Sequence, residues 1–280
     1  MTTRSPGAER HPAVSRRLLL TAGLSGVLTA VTAGPVAASG EGEDCLRSLF
    51  GSENRVLRTR ERVVALSFNA AWNTAGLDRV LGELARRSAP AVFFLTGDFA
   101  DRHPEAVRRI AAAGHGLGNH SYSHPHFTGL SAAAGAREVR AADRALRRAG
   151  AGRALTPFFR FPYSETTPAH LHNVNELGFA DIEFTKDTNG WMGSGGGMTV
   201  DRAVGRVREA LRPGAIVEMH VGAADGGSEV IDARALPLIL DGVTARGYRV
   251  VDLRTLLTAP CVTSADRAVS SWRTRRTHQP

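Results

Sequence analysis

Between residues 63 and 253, short apolar runs rich in β-branched residues alternate with longer stretches whose apolar positions recur at helical spacing. A strand buried on both faces reads as an unbroken apolar run, and a parallel sheet covered by helices is the architecture that buries strands that way. The predicted strands are Val63 to Phe68, Ala91 to Leu95, His115 to Gly118, Pro157 to Phe161, Ala180 to Thr185, Ala215 to His220 and Tyr248 to Leu253. Gly76 to Arg87 reads as a helix with Leu77, Val80, Leu81 and Leu84 on one face. Pro104 to Ala113 is opened by proline and stopped by Gly114, and Ser131 to Ala149 is capped by serine and stopped by Gly150. Pro168 to Leu177, Val200 to Leu211 and Leu236 to Ala245 complete the helices. Repeated βα units of this kind predict an α/β fold, either an irregular parallel barrel or an open doubly wound sheet. No glycine-rich phosphate loop follows the first strand, where Asn69-Ala70-Ala71-Trp72 stands, so a dinucleotide-binding fold is not expected.

The ends of the chain read differently. Ser15-Arg16-Arg17 precedes a mildly apolar run from Leu18 to Ala33, and Val36-Ala37-Ala38 offers small residues of the kind a signal peptidase accepts. Residues 1–38 are therefore expected to be an export signal of the twin-arginine type, giving a secreted or cell-envelope protein with no membrane span. Residues 39–60 are a polar lead-in, 61–258 one domain, and 259–280 an Arg-rich tail. The formal charge of +8 includes four Arg and one Glu within residues 1–38, so the remainder carries +5. Lys186 is its only lysine, and no arginine cluster interleaved with aromatics points to nucleic acid. Cys45 and Cys261 flank the domain, which in an exported protein suggests a disulfide; an unpaired cysteine is the alternative. A monomeric state is expected.

Polar residues gather where chemistry needs them. Asn69, His120, Arg160, Asp187 and His220 each fall at or just past the C-terminal end of a predicted strand, and in a parallel barrel those ends share one rim. His120 and His124, four apart in Asn119-His120-Ser121-Tyr122-Ser123-His124, would share one face of a helical turn and reach a single cation. Imidazole is a common zinc ligand, so a divalent metal, zinc first, is the expected cofactor. His220 could donate a proton to a leaving group, or be a hydrogen-bonded core histidine. Arg160, in Phe159-Arg160-Phe161-Pro162-Tyr163, could orient a carboxylate or amide, or pair structurally with an acid; a backbone N–H near Tyr163 could meet an oxyanion.

In this order the motifs resemble the polysaccharide deacetylases, the NodB-like carbohydrate esterases of family four, over roughly residues 60–255. The second motif, His-Ser/Thr-x-x-His, is matched by His120 to His124, the third, Arg-x-Pro-Tyr, by Arg160 to Tyr163, and the fifth, Leu-x-His, by Glu218-Met219-His220. The first, Ser/Thr-Phe-Asp-Asp-Gly, is matched only in its first two positions by Ser67-Phe68-Asn69-Ala70-Ala71, and the fourth, Asp-x-x-Asp-Trp, in part by Asp187-Thr188-Asn189-Gly190-Trp191. The resemblance implies a distorted (β/α)7 barrel with parallel strands and a metal-dependent hydrolase that removes acetyl groups from a chitin-like or peptidoglycan substrate. It also implies that Asn69 replaces the family's general base, Ala70 a metal ligand, and Gly190 the acid that tunes the catalytic histidine. Glu218 stands where the family has leucine and, two residues before His220 on one strand, faces the same way. It could tune His220, replace a lost acid, or be buried against Arg160. Glu165 and Asp187 are further candidates for a substitute base. The implied alternatives are a catalytically silent glycan-binding relative, with Trp72, Tyr122 and Trp191 stacking on sugars, and a hydrolase of another amide or ester.

Overall fold

The computed structural model describes residues 40–224 and 229–258. The expected export segment, the tail from 259 and Cys261 lie outside the described residues. Cys45 is buried and disulfide-bonded, and Cys261 is the chain's other cysteine.

In chain order the elements are α1 (Gly40–Ser48), β1 (Val63–Ala70), α2 (Leu77–Arg86), β2 (Ala91–Leu95), α3 (Gly97–Arg102), α4 (Pro104–Ala112), β3 (Gly116–Asn119) and α5 (Ala132–Arg148). They continue with β4 (Leu155–Phe159), α6 (Pro168–Glu176), β5 (Ala180–Asp181), β6 (Lys186–Asp187), α7 (Val200–Ala210), β7 (Ala215–His220), α8 (Ile231–Ala245) and β8 (Arg249–Val251). All strand pairings are parallel, in the order β5-β4-β3-β2-β1-β7-β6, with β8 paired to the opening residues of β1. The parallel α/β expectation is met. Among the described residues, no helix is long and apolar enough to cross a membrane.

Period-two alternation divides the sheet's two faces. Val64, Leu66, Phe68, Val217 and Met219 pack with α2, α4, α7 and α8 in the outer cluster. Val63, Ala65, Val92, Phe94, Phe158, Ile182 and Ile216 form an inner cluster floored by Leu49, Leu57 and Leu253. Further along the same inner faces the residues turn polar: Ser67 and Asn69 on β1, Glu218 and His220 on β7. The interior is thus apolar at the strands' N-terminal ends and polar at their C-terminal ends. Gly118 belongs to this packing, because a Cβ there would meet the Phe94 ring at 2.6 Å.

The structure adds to the sequence reading in one place and departs from it in several others. The lead-in is structured: Asn54 bridges Ile182 beside β5, Val56 bridges Ala215 at the start of β7, and the Arg55 carbonyl accepts from Thr185 Oγ1 at 2.7 Å. It therefore fills the gap between those two strands. The predicted strand from Ala180 to Thr185 ends at Asp181, and a separate strand, Lys186–Asp187, pairs with β7 instead. The strand expected at Pro157 to Phe161 starts two residues earlier and stops at Phe159. The last helix starts at Ile231 rather than Leu236 and carries Pro237 inside it. The histidine pair does not sit on a helical turn: Ser121 and His124 have φ of 65° and 59°, left-handed values that no right-handed helix accommodates.

Candidate active site

The polar end of the interior opens into a cavity of about 230 Å³, lined by Asn69, Trp72, His120, His124, Tyr163, Asp187, Trp191, Glu218 and His220 together with Phe161, Ser164 and Phe184. Seven of the eight residues singled out for catalysis or metal binding therefore meet here. Arg160 is the exception. It is fully buried beneath the cavity and lines no part of it, so it positions other groups rather than touching a substrate.

Its guanidinium organises the floor. Nε donates to the Ile182 carbonyl at 2.9 Å, Nη2 to Ser67 Oγ at 2.9 Å, and Nη1 to Asn69 Oδ1 at 3.0 Å. Its plane rests 4.0 Å over the Phe94 ring, and Glu218 Oε1 stands 3.5 Å from Nη1. With its oxygen committed to Arg160, Asn69 turns its Nδ2 to Glu218 and donates to Oε1 at 2.5 Å. The chain from arginine to amide to carboxylate admits only this orientation, since an amide offers one accepting and one donating end. An aspartate at position 69 would set a carboxylate oxygen against that of Glu218. Asn69 and Glu218 therefore belong together. Burial pushes the Glu218 carboxyl up to about 8 despite the attraction of Arg160, and Asp187 adds to the rise.

The histidine loop is held from three sides. Asn119 accepts from Ser121 N through Oδ1 and donates to the Val139 carbonyl through Nδ2. Glu138 on α5 accepts from Tyr122 N, Ser123 N and Ser123 Oγ, and Ser121 Oγ accepts from His124 N. These bonds stabilise the left-handed residues, which by themselves cost about 1–3 kcal/mol each. Tyr122 packs beside Gly97 and Asp101 rather than in the cavity. His120 places Nδ1 2.9 Å from the Arg160 carbonyl, so that nitrogen carries the proton, and Nε2 is buried with no hydrogen-bond partner among the described residues. Burial lowers His120 well below the ordinary imidazole range and takes His124 to about 4, so both are neutral. Two neutral imidazoles with ring centroids 4.8 Å apart, one with an orphaned nitrogen, fit a divalent ion as donors. Among the described residues, no group of three or more His, Cys, Asp or Glu could hold a metal ion, and Ala70 packs in the outer apolar cluster.

His220 ends β7 opposite Asn69. Its Nδ1 lies 3.5 Å from Asp232 Oδ2 and 3.8 Å from Asp187 Oδ1, while its backbone N–H donates to Asp232 Oδ2 at 2.7 Å. Burial alone would lower this imidazole, but Asp232, Asp187 and Glu218 outweigh it and the net displacement is upward. Asp187 is occupied by its own turn, accepting from Asn189 N and Trp191 Nε1. Trp72 packs between His124 and His220, 6.2 Å from each ring and 6.4 Å from Trp191. Tyr163, left-handed and 54% exposed, sets its ring 4.6 Å from His124 at the rim. Glu165 lies outside the cavity, paired with His126 and Thr128.

Sequence reasoning missed Ser67, Glu138 and Asp232. Asp232 had no signal in the strand-end pattern, because it comes from the first turn of a covering helix.

A sequence profile of the polysaccharide deacetylases matches residues 57–182. A chitooligosaccharide deacetylase of Bradyrhizobium sp. (strain ANU 289) is 33% identical over 203 residues, covering 70% of this chain and 90% of that protein. Among solved structures, a peptidoglycan N-acetylglucosamine deacetylase superposes with a TM-score of 0.66 at 27% identity, over 74% of this chain and 92% of the other. A CE4 family pseudoenzyme from Bacillus anthracis superposes at 0.67 and 24% identity, over 74% and 69%. The curled parallel sheet with covering helices matches the distorted (β/α)7 arrangement of these structures.

Proposed function

The chain belongs to the polysaccharide deacetylase family, and from that premise we propose that it hydrolyses acetyl groups from an N-acetylated cell-wall or extracellular glycan with a carboxylate relocated from β1 to β7. The hydrogen bond from Asn69 to Glu218, on the wall of the cavity, carries this reading. An amide at position 69 has no basicity to take a proton, whereas Glu218, one hydrogen bond away, can take one once it ionises near pH 8. Glu218 removes the proton from the attacking water. His220, which the neighbouring carboxylates hold above its ordinary imidazole range, returns a proton to the amine as the C–N bond breaks, leaving acetate and a free amino sugar. Asn69 and Arg160 hold the carboxylate in place. His120 and His124 would hold the divalent ion, which when bound supplies Lewis-acid polarisation of the carbonyl. Trp72, Trp191 and Tyr163 offer apolar faces for sugar rings.

The test is acetate release from N-acetylglucosamine oligomers and from peptidoglycan by protein supplied with zinc, cobalt or manganese. Release that rises with pH as Glu218 ionises supports the reading; no release with any ion overturns it. The missing third donor at Ala70 favours a second reading, a glycan-binding relative without turnover. Glycan binding without release, with release gained by Asn69→Asp together with Ala70→Asp, decides for it. Turnover of small acetyl esters but not of glycans points to another amide or ester. We also propose export, on the strength of Arg16-Arg17 and the run that follows; a reporter fused behind residues 1–40 that stays in the cytoplasm refutes this.

A further inference from the structure

The environment of Gly190 is unlike that of the other glycines near the cavity. A Cβ built on Gly190 would stand 2.2 Å from both Cγ and Oδ1 of Asp232 and 2.4 Å from Oδ2. No side chain beyond hydrogen fits there while Asp232 keeps its place. The two positions compete for one volume beside His220, and the carboxylate that fills it arrives from α8.

We propose that Asp232 is the positioning residue of His220, holding Nδ1 protonated so that Nε2 faces the cavity, and that Gly190 is glycine to admit it. The carboxylate is fully buried, and Oδ2 accepts the His220 backbone N–H at 2.7 Å, which fixes it against the last residue of β7. The same oxygen stands 3.5 Å from Nδ1 without a hydrogen bond between them, and both Nδ1 and Asp232 Oδ1 are buried with no hydrogen-bond partner among the described residues, so this carboxylate is the nearer of the two acids beside Nδ1. Asp187, at 3.8 Å, is the rival, but its two oxygens already accept from Asn189 N and Trp191 Nε1. The other charged and titratable groups around His220 are Glu218 on its own strand and, across the cavity, His120 and His124. Trp72 and Trp191 cover the ring's remaining sides. A buried carboxylate facing one imidazole nitrogen sets both the tautomer and the proton affinity of the other.

This inference rests on His220 as the proton donor of the proposed reaction, so its test has a readout that does not need turnover. Asp232→Asn keeps an acceptor for the His220 N–H and removes the charge. In ring-nitrogen NMR of His220, Asp232→Asn is expected to lower the protonation midpoint by about one pH unit and to reduce the Nδ1–H tautomer, with a smaller change in Asp187→Asn. In acetate release, kcat falls at least about tenfold with KM little changed. Gly190→Asp alone forces two carboxylates into one volume and lowers the melting temperature. Gly190→Asp combined with Asp232→Ala restores the fold, the midpoint and most of kcat. An unchanged His220 midpoint and tautomer in Asp232→Asn overturns the proposal, as does a double variant no better than Asp232→Ala. If wild type releases no acetate but the midpoint still shifts, Asp232 keeps its role and the deacetylase reading falls.

Discussion

Glu218→Gln separates two accounts of the buried carboxylate by the sign of its effect on stability. In the first, Glu218 is a structural counter-ion for Arg160; breaking a buried ion pair leaves an uncompensated charge and costs about 3–5 kcal/mol. In the second, Glu218 is kept for chemistry at the expense of stability. Its carboxyl moves from an ordinary 4.5 to about 8, a figure that already includes the attraction of Arg160. The folded-state value is raised, so the stability this group contributes is whole below the ordinary range and is lost as pH rises to about 8. The loss is about 1.4 kcal/mol per pH unit across that window. It amounts to about 3 kcal/mol at neutral pH and about 5 kcal/mol once the carboxyl is fully ionised. The glutamine side chain resembles the protonated carboxyl at every pH and keeps an oxygen for Asn69 Nδ2. The expected result is a variant as stable as wild type in acid, more stable by about 3 kcal/mol at neutral pH and by more above pH 8, with acetate release reduced about 10²–10⁴-fold. Urea unfolding followed by tryptophan fluorescence at three pH values, with the disulfide intact, measures the first part. A variant less stable than wild type at neutral pH refutes the reasoning and makes Glu218 the partner of Arg160.

Glu138→Gln removes the charge that receives three hydrogen bonds from the histidine loop; a local loss of about 2 kcal/mol is expected, seen as roughly thirtyfold faster hydrogen exchange at the Tyr122 and Ser123 amides. Unchanged exchange there would show that Asn119 and Ser121 hold the loop alone. Asp181 is fully buried with neither oxygen partnered among the described residues, and burial, with Glu183 beside it, holds its carboxyl well above the ordinary range. Its stabilising contribution is therefore present in acid and lost as pH rises through that elevated value, so Asp181→Asn should gain on wild type in urea unfolding as pH is raised; a variant that loses ground there contradicts this. Equilibrium dialysis against zinc should load wild type, with His120→Ala and His124→Ala each losing the bound ion. Zinc retained by either variant means that another donor set holds it.

The sequence announced β1, β2 and β7 clearly, because a parallel strand buried on both faces needs an apolar run whose ends its neighbours define. Ser131 likewise marked the start of α5, its hydroxyl accepting from Ala134 N as a helix cap should. Elements whose stability is tertiary were legible only in part. β5 begins where a strand is predicted but ends after two residues, and β6, also two residues long, was not predicted; both exist because β4 and β7 offer them edges. Pro237 reads as a first-turn proline, which placed the start of α8 too late and hid Asp232. The spacing of His120 and His124 is helical, but left-handed turns stabilised by side-chain hydrogen bonds leave no periodicity to detect. The site was legible wherever its residues lie at strand ends. The partnership of Asn69 with Glu218 and that of Gly190 with Asp232 were not, because each joins positions that only the fold makes neighbours.

The lead-in has a consequence for the order of assembly. Asn54 Nδ2 bonds the Asp181 carbonyl, and the Arg55 carbonyl receives Thr185 Oγ1, across 127 and 130 residues of chain. These segments leave the ribosome before any strand of the sheet, yet the edges they dock on exist only after β5 and β7 are in place. Contacts that distant carry the full entropy of closing the loop and form late. The first described piece of the protein to be made is thus the last to latch. A domain cut at residue 61 would arrive at the final step of folding with a slot open between β5 and β7 and no segment left to close it.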